Sequence, residues 1–68
     1  MLKGLKALRI RAKKTQAGIA ANVGISQNYY NELERGVKVN PSSEIILRLA
    51  DELGCDIGEL FKERGQTA

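Results

Sequence analysis

At 68 residues and 7.5 kDa the chain has room for one domain. Folding at this size removes only about 60% of the unfolded surface from water, so the core is thin. Cys55 is the sole cysteine and there is no histidine, which excludes an internal disulfide and leaves a zinc site without its usual ligands. The net charge of +3 hides an asymmetry: residues 1–31 carry six basic side chains and no acid, and residues 32–68 carry five basic and eight acidic ones.

Eight Leu, seven Ala and six Ile against three Val and three aromatics favour helices over strands. No apolar run approaches the ~18 residues of a membrane helix, and Lys3, Lys6 and Arg9 interrupt any signal-peptide core. The expectation is a soluble all-α domain in a reducing compartment, spanning 1–68 with its core in 2–61 and a polar tail in 62–68. An enzyme is not expected. The usual general base near neutral pH is missing, Cys55 has no histidine partner, and no glycine-rich phosphate loop is present, so no cofactor is implied either. The basic first half points to a polyanionic partner, nucleic acid first, against the alternative of a solvated cationic face.

In chain order, Leu2, Leu5, Leu8 and Ala12 recur near helical spacing and predict a helix over 2–13. Thr15 is a good N-cap for a second helix with the stripe Ile19, Ala20, Val23, ended by Gly24. Ser26 caps a third, in which Tyr30 and Leu33 point inward and Arg35-Gly36 stops the run. Residues 36–41 read as an extended loop, since Asn40 precedes Pro41. Ser42 caps a fourth helix with the stripe Ile46, Leu49, Ala50, Leu53, closed by Gly54. Asp56 and Glu59 form a capping-box-like pair before a fifth helical turn or two, from Ile57 to about Lys62. Gly4, Gly18 and Gly58 fall inside predicted helices, where each costs about 1 kcal/mol relative to Ala. A close backbone approach to a partner is one reading of Gly18.

The segment Gln16–Glu34 has its own grammar. Apolar residues pack two short helices together, the small Ala20 lies where they approach, and a glycine takes the turn. This is a helix-turn-helix pattern, whose second helix lies in the major groove. The run TQAGIAANVGISQNYYNELERG is similar to the core of the Cro/C1-type family of phage and bacterial repressors. Leu5, Leu8 and Arg9 match that family's first helix. Asn40-Pro41-Ser42, Leu49-Ala50, Leu53-Gly54 and Leu60-Phe61 match its last two, so the resemblance covers about residues 2–61. It implies a five-helix lambda-repressor-like fold, double-stranded DNA as partner, and cytoplasmic, nucleoid-associated activity in a bacterium or phage.

At about 100° per residue, Tyr30 and Leu33 share the inner face of the third helix with Glu34 beside them. Asn28, Asn31, Glu32 and Arg35 turn outward, with Gln27 at the amino end. Amides bond bidentately to adenine, and a Glu accepts from cytosine N4. The resemblance places Gln16 on a phosphate at the start of the second helix, Gln27, Asn28 and Glu32 at base-contact positions, and Asn31 beside a phosphate or base. Lys38 and the backbone near Asn40 fall along the sugar–phosphate edge. Thr15 and Ser26 belong to the same face, Thr15 either as an N-cap alone or as a direct contact. Glu32 is expected either to read a cytosine or to be neutralised by Arg35. Tyr29 either stacks on the DNA or covers the edge of the second helix. In the family an Arg and Glu pair links the first and third helices, here Arg9 and Glu34. Tyr30 stands where Ile or Val is commoner and implies a small residue nearby, Ala20 or Ala21. Lys13 and Lys14 stand where a helix-ending Gly and an apolar residue are common, and are read as solvated or phosphate-facing charge. Cys55 is read as buried filler.

One recognition helix reads few base pairs, so a homodimer on an inverted repeat with half-sites about 10 base pairs apart is expected. Ile45, Leu47, Leu60 and Phe61 offer a small apolar patch for it. The expected function is a sequence-specific transcriptional regulator of repressor or restriction–modification controller type, with no small-molecule ligand. The alternative is an antitoxin-like protein-interaction module on the same fold, with DNA binding secondary.

Overall fold

The computed structural model describes residues 2–37 and 40–62. Among these there are five α-helices and no strand: α1 (Leu5–Arg11), α2 (Gln16–Val23), α3 (Gln27–Arg35), α4 (Ser43–Leu53) and α5 (Ile57–Phe61). Three of the five begin with the same local device. The hydroxyls of Thr15, Ser26 and Ser42 accept from the backbone N–H groups of Gly18 (2.9 Å), Tyr29 (3.0 Å) and Ile45 (3.2 Å), each satisfying a donor the helix itself cannot. At the start of α5 the Glu59 carboxylate turns back to accept from the Asp56 N–H at 3.2 Å. The α2–α3 turn needs a left-handed residue, and Gly24 supplies it at φ 88°.

The first helix departs from its expected start. It begins at Leu5 rather than residue 2, and Gly4 is its N-cap residue. Leu2 is still buried, because the turn preceding α1 folds back onto the core. Gly4 donates its N–H to the Leu60 carbonyl at 2.9 Å, and a Cβ there would run into the carbonyl oxygens of Glu59 and Lys62. A glycine that looked like a cost within a helix is thus the point where the start of the chain lies directly on α5. Gly18 has a local reason as well: a Cβ would crowd the Thr15 hydroxyl at 3.0 Å, the atom that caps α2. After α1 the chain turns through Lys13 at φ 59°, the conformation for which a glycine is the usual residue.

α2 packs against α3 and α4, while α5 closes the other side against α1 and α4. Leu5, Leu8, Ile19, Tyr30, Leu33, Leu49 and Leu60 are all at most 1% exposed and form the centre of the core. Ala20, not the exposed Ala21, belongs to the cluster that holds the Tyr30 ring. Cys55 is half-buried at the edge of that core rather than fully inside it. Full burial of Leu60 within the core removes it from the expected dimer patch, because α5 is packed between α1 and α4. Ile45 is half-buried against the core, so of those four residues Leu47 and Phe61 remain exposed, at 55% and 37%.

Candidate nucleic-acid interface

The amino ends of α2 and α3 lie side by side, and the side chains at that junction are amides. Gln16, Gln27, Asn28 and Asn31 line an open cleft of about 340 Å³. Gln27 and Asn28 are exposed, and their side chains make no hydrogen bond among the described residues. Gln16 and Asn31 are half-buried and held. Gln16 Nε2 donates to Glu34 Oε1 at 2.9 Å, and Asn31 Nδ2 donates to Gln16 Oε1 at 3.3 Å. The local reading of α3 as an amide-bearing outer face over an apolar inner one thus agrees with its burial, while the bond between Gln16 and Glu34 crosses 18 residues and has no local signal.

Behind the cleft stands the Arg9–Glu34 ion pair. Arg9 Nε donates to Glu34 Oε2 at 2.6 Å, with the two side chains 15% and 4% exposed. Arg9 also donates to the Lys14 carbonyl at 3.1 Å, which fixes the turn between α1 and α2. Burial by itself pushes the Glu34 carboxyl up. The hydrogen bonds from Arg9 and Gln16, with the nearby Tyr30 hydroxyl, outweigh it and hold the group below the ordinary carboxylate range. That hydroxyl is buried beside the pair without a hydrogen bond of ordinary geometry among the described residues, so its influence is electrostatic. Burial, reinforced by the Glu34 charge, raises its own pKa far above that of a free tyrosine.

The remaining expected residues divide. The hydroxyls of Thr15 and Ser26 are exposed at the helix starts and occupied as caps. Glu32 is half-buried on α3 and makes no ion pair with Arg35 among the described residues; Arg35 instead reaches Asn31 Oδ1 at 3.5 Å. Neutralisation of Glu32 by Arg35 is therefore corrected, because the guanidinium bends one turn back along the helix. Tyr29 is half-buried and packs against the core, covering the edge rather than standing free. Asn40 is exposed, and Lys38 lies outside the described residues.

The basic first half is less free than its composition implies. Arg9 is paired with Glu34, Lys14 Nζ with Glu52 Oε2 at 3.2 Å, and Arg11 with Glu59 at a loose 4.0 Å. Lys14 is therefore neither solvated filler nor an open phosphate contact. With Asn22, which donates to the same Glu52 oxygen at 2.7 Å, it ties the turn before α2 and the last turn of α2 to α4. Lys3, Lys6 and Lys13 make no ion pair among the described residues. At the far end of α2, Arg48 donates to the Val23 carbonyl at 3.2 Å and to Glu44 at 2.7 Å, holding the α2–α3 turn from α4. Reading the sequence locally missed this contact, for which a basic residue one turn after an acid on α4 is the only signal.

Two short helices joined by a glycine turn, the second with a polar outer face, define a helix-turn-helix protein. The family model for helix-turn-helix proteins matches residues 5–60, and the chain belongs to this Cro/C1-type family. No curated protein and no solved structure matches it. Membership makes the chain a DNA-binding transcription regulator, in a family that is generally not enzymatic. No helix among the described residues is long and apolar enough to cross a membrane.

Proposed function

We propose that the protein is a sequence-specific regulator that binds an inverted repeat in double-stranded DNA as a homodimer, in the manner of a repressor or restriction–modification controller. The observation that carries this reading is the cleft where four amide side chains meet at the amino ends of α2 and α3. α3 enters the major groove with Gln27 and Asn28 leading, and their unengaged amides pair with adenine edges. Glu32, further along the same helix, accepts from a cytosine. Gln16 and the amino end of α2 hold a phosphate, where helix N–H groups favour an anion. Thr15, Ser26, Asn31, Lys38 and Asn40 complete the backbone edge. Leu47 and Phe61 supply the exposed apolar surface on which two copies meet.

The test is selection of the purified protein on a random duplex pool at about 150 mM salt, because low salt inflates non-specific affinity. The expected result is an inverted repeat with half-sites about one helical turn apart, and two chains per duplex by sedimentation. Binding without enrichment, lost as salt rises, would refute sequence-specific readout and direct the search to a protein partner.

A further inference from the structure

We infer that Glu34, its side chain buried behind the cleft, is a positioning residue that sets which atoms Gln16 and Asn31 turn toward the nucleic acid. The inference deepens the proposed function and rests on it. A carboxylate only accepts hydrogen bonds, whereas an amide has a donating and an accepting end. Arg9 holds Glu34 in one place, with Nε at 2.6 Å from one oxygen. The other oxygen takes the Gln16 Nε2 proton at 2.9 Å, so the Gln16 amide has to face Glu34 with its nitrogen. Its Oε1 is then turned toward Asn31, whose Nδ2 donates to it at 3.3 Å. Asn31 Oδ1 in turn faces Arg35 at 3.5 Å. Every link runs in one direction, and the direction originates in the Glu34 charge.

The consequence is a division of labour within one cleft. Gln16 and Asn31 have their oxygens engaged and each keeps one amide proton, so both offer donors to acceptors such as phosphate oxygens. Gln27 and Asn28 carry no such constraint and can turn either end outward, as bidentate pairing with adenine demands. Orientation is fixed before DNA arrives, so the ordering of two polar side chains is not charged against binding.

Two measurements test the inference. In the DNA-free wild-type protein, NMR should show the side-chain amide protons of Gln16 and Asn31 exchanging up to roughly tenfold more slowly than those of Gln27 and Asn28, which are the internal control. Glu34→Gln introduces an NH2 group that can face Gln16 and reverse its amide. If the variant's backbone spectrum shows it folded, its DNA affinity should fall by up to roughly tenfold while the slope of log affinity against log salt stays unchanged, because a neutral amide donor releases no counterion. Equal exchange at all four amides in a wild-type chain that still selects a DNA sequence would overturn the relay and leave the proposed function standing. A folded Glu34→Gln variant that binds DNA as tightly as the wild type would overturn it as well. Protected amides in a chain with no sequence preference would overturn the proposed function and, with it, the role assigned to the relay. If Glu34→Gln does not fold, the wild-type exchange decides alone.

Discussion

Arg9 shows how much can hang on one guanidinium. It clamps α3 through Glu34, closes the turn after α1 through the Lys14 carbonyl, and through Glu34 reaches the amide cleft. Removing it leaves a carboxylate that is 4% exposed without its counter-charge, which costs about 3 kcal/mol. Arg9→Ala should therefore lower the melting temperature and the DNA affinity together; reduced affinity at an unchanged melting temperature would contradict the assignment. The same pair sets a pH dependence. Glu34 titrates below its unfolded value of 4.5, so its contribution to stability is present in full above that value. The contribution is lost as pH falls through the lower folded-state pKa. Thermal melts of the wild type should fall in acid more steeply than those of Glu34→Gln below about pH 4.5. Parallel curves for the two proteins would show that the pair does not couple to folding.

Among the elements, Gly4 before α1 and Gly58 within α5 make opposite predictions. At Gly4 a methyl group would collide with backbone oxygens of α5, which cannot swing aside as a side chain could. Gly4→Ala should cost about 1–3 kcal/mol, as overpacking does. Gly58, inside α5, has open space for 4 Å around the position a methyl would take, so Gly58→Ala should stabilise by up to about 1 kcal/mol. Denaturant midpoints of the two variants check both, and a neutral Gly4→Ala would mean that α5 is not seated on the start of the chain. These elements also show where local reading suffices. The starts of α2, α3 and α4 were legible because a hydroxyl capping an N–H three residues on is a local event. The start of α1 was not, since the burial of Leu2 and the contact at Gly4 both depend on α5, more than fifty positions away. The outward amides of α3 follow from helical spacing, whereas the hold on Gln16 depends on α1 bringing Arg9 to Glu34. Leu60 departs from its expected exposure for a related reason: helical spacing within α5 does not say which of its faces α1 and α4 cover.

For the molecule as a whole, ion pairing reorganises the charge that composition displays. Arg9, Arg11 and Lys14 are met by acids from the second half of the chain, so the net +3 is not a bare cationic face. Attraction to phosphate alone then rests on fewer open cations than the composition suggests, and in the proposed reading discrimination falls to base contacts. The longest dimension of one copy is 33 Å, close to one turn of the double helix, a size compatible with the proposed placement of one copy on each half-site. The most direct measurement of base readout is the random-duplex selection run in parallel on the wild type, Gln27→Ala and Asn28→Ala. Each variant should keep the spacing of the repeat and relax the preference at its own base position, by about 1–3 kcal/mol. An unchanged consensus in both variants would contradict readout by the leading amides of α3.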